Sequence, residues 1–189
     1  MQIVFVGPPG AGKGTQALRL KDHLGVVHLS TGEMFREAER EDTDLGRQAA
    51  EYFRAGALVP DEVVVGIIAE RLQQPDCDAG CVFDGFPRTV AQAEALDAML
   101  AEAGRPLDLV LALEVSNDVV SQRLLGRGRV DDTPDTIRER LRQYDQLTRP
   151  LLEYYRGQGQ LCMIDGTGTE SEVFTRVRAA VDAASAAQD

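Results

Sequence analysis

Gln2-Ile3-Val4-Phe5-Val6-Gly7-Pro8-Pro9-Gly10-Ala11-Gly12-Lys13-Gly14-Thr15 opens the chain with a short apolar run that passes directly into a glycine-rich loop and a helical pattern. Strand, glycine loop and helix start, in that order, are the context that a phosphate-binding loop requires. Glycines let consecutive N–H groups turn inward around an anion, and the following helix adds the positive end of its dipole. Lys13 supplies a mobile ammonium that can bridge terminal phosphates. A plain tight turn with a surface lysine is the alternative, and the buried strand before the loop with the helix after it argues against that. The residue after the lysine is ordinarily Ser or Thr; here it is Gly14, so the hydroxyl expected near Mg²⁺ moves to Thr15.

Outward from this loop, short β-type runs alternate with longer helical ones. Ile3 to Val6, Val26 to Leu29, Cys81 to Phe83, Leu109 to Leu113 and Leu161 to Ile164 lack polar alternation, as strands buried on both faces do. The alternation predicts an α/β fold with a doubly wound, five-stranded parallel sheet in a single domain over residues 1–189. From Ile137 to Tyr155 apolar residues recur at spacings of three and four, predicting one helix kinked or divided at Pro150. Glu170 to Val181 reads as a covering helix. Residues 30–59 form a helical excursion from the sheet, with Gly46 and Gly56 as punctuation, and residues 126–132 are a short charged loop between helices.

The balance of 31 acids against 20 Lys plus Arg gives a formal charge of −11, which argues against a general nucleic-acid or anionic-membrane binder. It leaves room for a small anion, because a few cations in one cleft can outweigh an acidic exterior. The apolar N-terminal run stops at Val6, too short for a signal peptide, and no stretch reaches the roughly 18 apolar residues of a membrane span. Three cysteines, Cys77, Cys81 and Cys162, suit a reducing cytoplasm, and with no His or Cys partners nearby they predict no zinc site. His28 falls in a buried-strand pattern and reads as packed rather than catalytic.

A second constellation follows the third strand: Asp84-Gly85-Phe86-Pro87-Arg88-Thr89, then Gln92. An acid at the C-terminal end of a buried strand lies on the ligand-binding edge of an open α/β sheet, where it could hold Mg²⁺ through water. Arg88 offers a planar fork suited to phosphate oxygens. Taken alone, Asp84 could be a simple cap and Arg88 a solvated side chain; next to the first loop that alternative weakens. Arg123, Arg127, Arg129 and Arg140 bracket the loop at 126–132, a natural clamp for phosphoryl transfer, which is mainly positioning and charge neutralisation. Arg138 and Arg142, in a stretch rich in Glu and Gln, read as a solvated face.

Together these segments resemble the adenylate kinases, a branch of the P-loop nucleoside monophosphate kinases that shares the Gly-Lys-Gly-Thr ending with UMP/CMP kinases. Five stretches carry the resemblance in order: Gly7 to Gln16, Ser30 to Arg36, Gly56 to Asp61, Asp84 to Gln92, and Arg123 to Arg140. The resemblance implies reversible, Mg²⁺-dependent phosphoryl transfer from ATP to AMP giving two ADP, in nucleotide homeostasis and salvage, by a cytoplasmic monomer. It implies that Gly10, Ala11, Gly12, Lys13, Gly14 and Thr15 cradle ATP, with Arg123, Arg127 and Gly168. AMP would be held by Thr31, Arg36, Ala57, Leu58, Val59, Gly85, Phe86, Pro87, Arg88, Gln92, Arg129 and Arg140. Gln92 would read the adenine edge. Lys13, Arg88, Arg123, Arg127, Arg129 and Arg140 would act on the transferring group, Asp131 and Asp132 would orient the arginines, and Asp84 with Thr15 would serve the metal. The loop at 126–132 corresponds to a very short lid, and 30–59 to the AMP-binding excursion. Thr89 and Gln92 match the adenylate type rather than the UMP/CMP type; a nucleotide-sensing module without catalysis is the more distant alternative.

Overall fold

A strand buried on both faces favours apolar side chains at every position, and the central strand carries them without a break from Ile3 to Val6. In the computed structural model, which describes residues 1–129 and 132–186, the strands are β1 (Gln2–Val6), β2 (Val27–Ser30), β3 (Cys81–Asp84), β4 (Leu109–Glu114) and β5 (Leu161–Asp165). They pair in parallel in the order β2-β3-β1-β4-β5, so the expected five-stranded α/β sheet is present. Successive side chains point to opposite faces. Ile3 and Phe5, with Val82, Leu111 and Leu113, pack beneath α1 (Lys13–Leu24) and α9 (Glu170–Ala186), against Leu20, Val173 and Val177. Val4 and Val6, with Phe83 and Val110, face α4 (Asp61–Leu72), α5 (Val90–Glu102) and α8 (Pro150–Gly157), against Ile68, Leu96, Leu151 and Tyr155. Each fully buried Ile, Leu or Phe contributes roughly 1.5–3 kcal/mol, so the two faces together hold the sheet rigid.

Rigidity matters because of what the strands end on. β2 to β5 each run one residue past the apolar stretch expected from sequence, finishing on Ser30, Asp84, Glu114 and Asp165. The register sets Asp84 beside both Phe5 and Ser30, and Glu114 beside Asp165. Polar groups are thereby carried on the backbone ladder to the edge where β1 releases the glycine loop.

The excursion consists of α2 (Thr31–Arg40) and α3 (Asp44–Ala55). Gly56 ends α3 with a left-handed φ of 71°, as punctuation should. Gly46 does something else. It lies within the first turn of α3, its N–H capped by Thr43 Oγ1 at 3.1 Å, and a Cβ there would run into the backbone of Ala38 and Glu39. It is the point of close approach between two helices.

Helical pattern from Ile137 to Tyr155 is also interrupted earlier than expected. α7 (Pro134–Gln143), which follows α6 (Asn117–Arg127), gives way to a π turn over Tyr144–Thr148, closed by Arg149 N–H donating to Tyr144 O at 2.8 Å. Pro150 then starts α8. Proline has no N–H to donate and its ring crowds the carbonyl four residues back, so the helix widens upstream of it.

Two glycine substitutions separate packing from propensity. Gly46→Ala is expected to lower stability by about 2 kcal/mol or more, as overpacking against fixed backbone does. Gly66→Ala in α4, where a Cβ meets nothing within 4 Å, should raise it by about 0.5–1 kcal/mol. Urea unfolding midpoints of the two variants check both signs.

Candidate active site

Beyond the end of β1 the loop turns back on itself. Gly12 takes a φ of 100°, which L side chains rarely adopt, and stands at the start of α1. Lys13 Nζ donates to Gly7 O at 2.7 Å and Pro8 O at 3.0 Å, folding the side chain over its own loop. Burial brings its pKa from 10.5 down to about 8; Asp84 opposes that, while Arg88 and Arg127 add to it. The structure also explains the unusual residue after the lysine. A Cβ on Gly14 would lie 3.1 Å from Asp84 Oδ2, a tight contact that a side chain there would make only if the carboxylate gave way by a few tenths of an ångström.

Asp84 is largely enclosed, with Ser30 Oγ at 3.5 Å and His28 Nε2 at 3.7 Å from Oδ2. Burial pushes its pKa up, but the His28 imidazole and the charges of Lys13 and Arg88 outweigh this and hold it below the usual carboxylate value. His28, with its side chain 6% exposed, is packed. An ionised carboxylate at the cleft wall, with the Thr15 hydroxyl also lining the cleft, is an oxygen donor set of the kind that suits Mg²⁺. Among the described residues no group of three or more His, Cys, Asp or Glu could hold a metal alone. Magnesium fits such a sparse site, since it commonly keeps several waters and takes phosphate oxygens alongside one or two carboxylates. Cys77 and Cys81 are both buried.

Loop, Asp84 and arginines surround one cleft of about 780 Å³. Among the described residues its cations are Lys13, Arg36, Arg88, Arg123, Arg127, Arg129 and Arg140, facing the acids Glu33, Asp84 and Glu170. Arg123 donates to Ala11 O at 3.3 Å and Gly166 O at 3.2 Å, tying α6 to the phosphate loop and to the turn after β5. Arg127 grips Asp132 bidentately, Nε to Oδ2 and Nη2 to Oδ1, both at 2.8 Å, and Arg140 Nη1 shares Oδ1 at 2.8 Å. That carboxylate is 2% exposed, a buried anion between two guanidinium groups. Arg140 also reaches Phe53 O at 3.4 Å, linking α7 to the end of α3. Val130 and Asp131, within the expected lid and arginine-orienting pair, lie outside the described residues. Arg138 and Arg142 are exposed, paired to Asp135 and Glu139.

Gly10, Ala11, Gly12, Gly14, Thr15 and Gly168 line the same cleft, with Pro87 and Arg36. A smaller hollow of about 30 Å³ adjoins it, lined by Thr31, Ala57, Leu58, Val59, Gly85, Arg88 and Gln92. Of the described residues expected to contact a nucleotide, Phe86 alone reaches neither: its ring is fully buried in the core, and what it contributes is the turn. Thr31 Oγ1 and Arg88 Nε both donate to Gly85 O at 2.9 Å. Arg88 opens onto the cleft; desolvation lowers its pKa, Asp84 works against that and Arg140 adds to it. Gln92 is already bonded within the protein. It is 2% exposed, its Oε1 accepting from Arg88 N–H at 2.7 Å and its Nε2 donating to Asp61 Oδ1 at 2.7 Å.

Sequence reasoning gave no role to Asp61 or Ser30, although both fall in stretches that carry the resemblance, and did not single out Thr148. Asp61 follows Pro60 at a helix start, where any acid reads as a dipole partner. Thr148 lies in a helical pattern, yet the π turn aims its hydroxyl at Arg88 O, 2.9 Å away. No local signal marks either, because each acts on a residue distant in sequence.

Comparison with known proteins agrees with this geometry. The family model described as adenylate kinase matches residues 5–160. A protein of Stenotrophomonas maltophilia named adenylate kinase is 46% identical over 187 residues, covering 97% of this chain and all of that one. Mycobacteroides abscessus has one 51% identical over 181 residues, 96% of this chain and 99% of the relative. Archaeoglobus fulgidus has one at 43% over 213 residues, covering 96% and 98%. Likeness of this degree, along the whole length of the chain, means that it belongs to the adenylate kinase family, the phosphotransferases that interconvert ATP plus AMP and two ADP.

Proposed function

We propose that transfer takes place in line, across the main cleft, between ATP held by the glycine loop and AMP held by the helical excursion. Supporting this most directly is the gathering of seven cations around one cleft in a chain of net charge −11. Gly10 to Thr15 cradle the ATP phosphates, Arg123 and Arg127 reach the donor side, and Gly168 lies by the donor base. Thr31, Arg36, Ala57 to Val59, Gly85 to Arg88, Gln92, Arg129 and Arg140 form the acceptor side. Residues 30–59 act as the AMP-binding excursion and 126–132 as a short lid that limits access of water, the competing acceptor.

An oxygen of the AMP phosphate attacks the terminal phosphorus of ATP, and the bond to the ADP oxygen breaks. No general base is needed, because a phosphate monoester is already ionised at neutral pH. Lys13, Arg88, Arg123, Arg127, Arg129 and Arg140 stabilise charge as it spreads over the transferring oxygens. Asp84 and Thr15 would hold Mg²⁺, which supplies charge neutralisation on the donor phosphates. Asp132 holds Arg127 and Arg140 in a fixed relation, so that the donor and acceptor sides are set by one carboxylate. The cytoplasmic monomer is carried by the family reading, and the net acidic charge favours nucleotides over nucleic acid as partners; among the described residues no helix is long and apolar enough to cross a membrane.

Arg88→Ala should lower kcat on the order of 10³-fold or more, about 4 kcal/mol of transition-state stabilisation, read in a coupled ADP assay. A near-normal rate would overturn the role of Arg88. In that assay AMP should outperform CMP and UMP as acceptor.

Lys13 makes binding depend on pH. Its ammonium form binds the phosphates, and a bound polyanion raises its pKa, so ATP affinity is full below about 8 and falls as pH rises through that value. At pH ~9, binding should take up a proton, measurable by calorimetry in two buffers of different ionisation enthalpy. Lys13→Arg, charged throughout, should show no uptake.

A further inference from the structure

Asp61, Thr89, Gln92 and the backbone of Arg88 form a closed hydrogen-bonded group at the junction of α4 and α5. Thr89 Oγ1 donates to Asp61 Oδ2 at 2.8 Å and accepts from Gln92 N–H at 3.1 Å. Gln92 Nε2 donates to Asp61 Oδ1 at 2.7 Å, and its Oε1 accepts from Arg88 N–H at 2.7 Å. The direction of each bond is set by chemistry. An ionised carboxylate can only accept, and a backbone N–H can only donate. Turning the Gln92 amide over would place its oxygen against the Asp61 carboxylate and its NH₂ against the Arg88 N–H, two unfavourable contacts at once.

A glutamine amide has two N–H donors and two acceptor lone pairs. Here one of each is engaged, which leaves one donor and one acceptor on a side chain that lines the acceptor hollow. Adenine presents an acceptor at N1 and a donor at N6, which such an amide edge matches. A 6-oxopurine presents N1–H and O6, the reverse order, and would require the amide to flip.

We infer that Asp61 is a positioning residue for base selection: by accepting from Nε2 it fixes the Gln92 amide in the orientation that suits a 6-aminopurine monophosphate and opposes a 6-oxopurine one. This rests on Gln92 as the contact to adenine, so the test includes Gln92 itself. The geometry gives Asp61 no contact with the cleft-facing donor site, and its effect is confined to the acceptor.

The experiment compares kcat/KM for AMP and IMP, with ATP as donor, in four variants. Asp61→Leu is expected to reduce the AMP-to-IMP ratio about tenfold, through KM for AMP, because a polar group aligned to reject a mismatched partner loses its alignment. KM for ATP should stay unchanged. Asp61→Asn, which keeps an acceptor oxygen within reach of Nε2, should hold the ratio within about twofold. Asp61→Ala carries the same test if the leucine variant does not fold. Gln92→Leu should collapse the ratio at least as far. An unchanged ratio in the Asp61 variants, with a collapsed one in Gln92→Leu, overturns the role of Asp61 alone. An unchanged ratio in Gln92→Leu overturns the reading of Gln92 and the inference with it. A loss equal for AMP, IMP and ATP would show Asp61 to be a structural strut only, and would also overturn it.

Discussion

Mutual repulsion among cations is the constraint around which this molecule is arranged. Lys13 and six arginines line one cleft that holds three acids, and without a nucleotide their charges oppose each other. The fold restrains several of them with partners that do not cancel their charge. Lys13 bonds to Gly7 O and Pro8 O, Arg88 to Gly85 O, and Arg123 to Ala11 O and Gly166 O. A carbonyl fixes direction while leaving the full positive charge for an incoming phosphate. Asp132, by contrast, is a carboxylate partner shared by Arg127 and Arg140, so that one negative charge there meets two positive ones.

Such an arrangement needs a scaffold that does not yield, and the parallel sheet supplies one. Strand ends lie side by side because the ladder fixes their register, so Ser30 and Asp84 cannot drift relative to the loop leaving β1. Gly14 shows how little slack remains: a methyl group there would come within 3.1 Å of the Asp84 carboxylate. Preorganisation of this kind matters because phosphoryl transfer draws on electrostatics already aligned before the reaction.

Most of this could be read from the chain before any coordinates. The strands stood out as short apolar runs, unbroken where β3, β1 and β4 are buried on both faces and less clear-cut in β2, which carries His28, and in β5, which is only partly buried, and the glycine loop because an anion cradle leaves few residue choices. Of the seven cleft cations, Lys13, Arg88 and the arginines around the loop at 126–132 stood out by their place near glycines, whereas Arg36 followed from the family resemblance and Arg140 chiefly so. Less legible were features set by tertiary contact. Gly46 looks like a breaker in sequence, yet it sits inside a helix whose neighbour's backbone passes too close for a side chain. Gln92 could be picked out as a candidate base contact through the family resemblance, but its bonds to Asp61 and Arg88 could not, because those partners converge only when α4 and α5 are packed. Phe86 belongs to a motif that suggests the site, while its ring belongs to the core. The widened turn ahead of Pro150 depends on steric conflict between a ring and a carbonyl, which periodicity does not reveal.

That widened turn also decides the phase of everything after it. In an α-helix each residue advances the side chains by about 100°, so one added residue per turn rotates the following segment by that much. α7 must present Arg140 to the cleft, whereas α8 must present Leu151 and Tyr155 to the sheet. A single unbroken helix would have one azimuth for both duties. The π turn lets two segments of one helical run keep separate azimuths, one answering to the ligand and the other to the core.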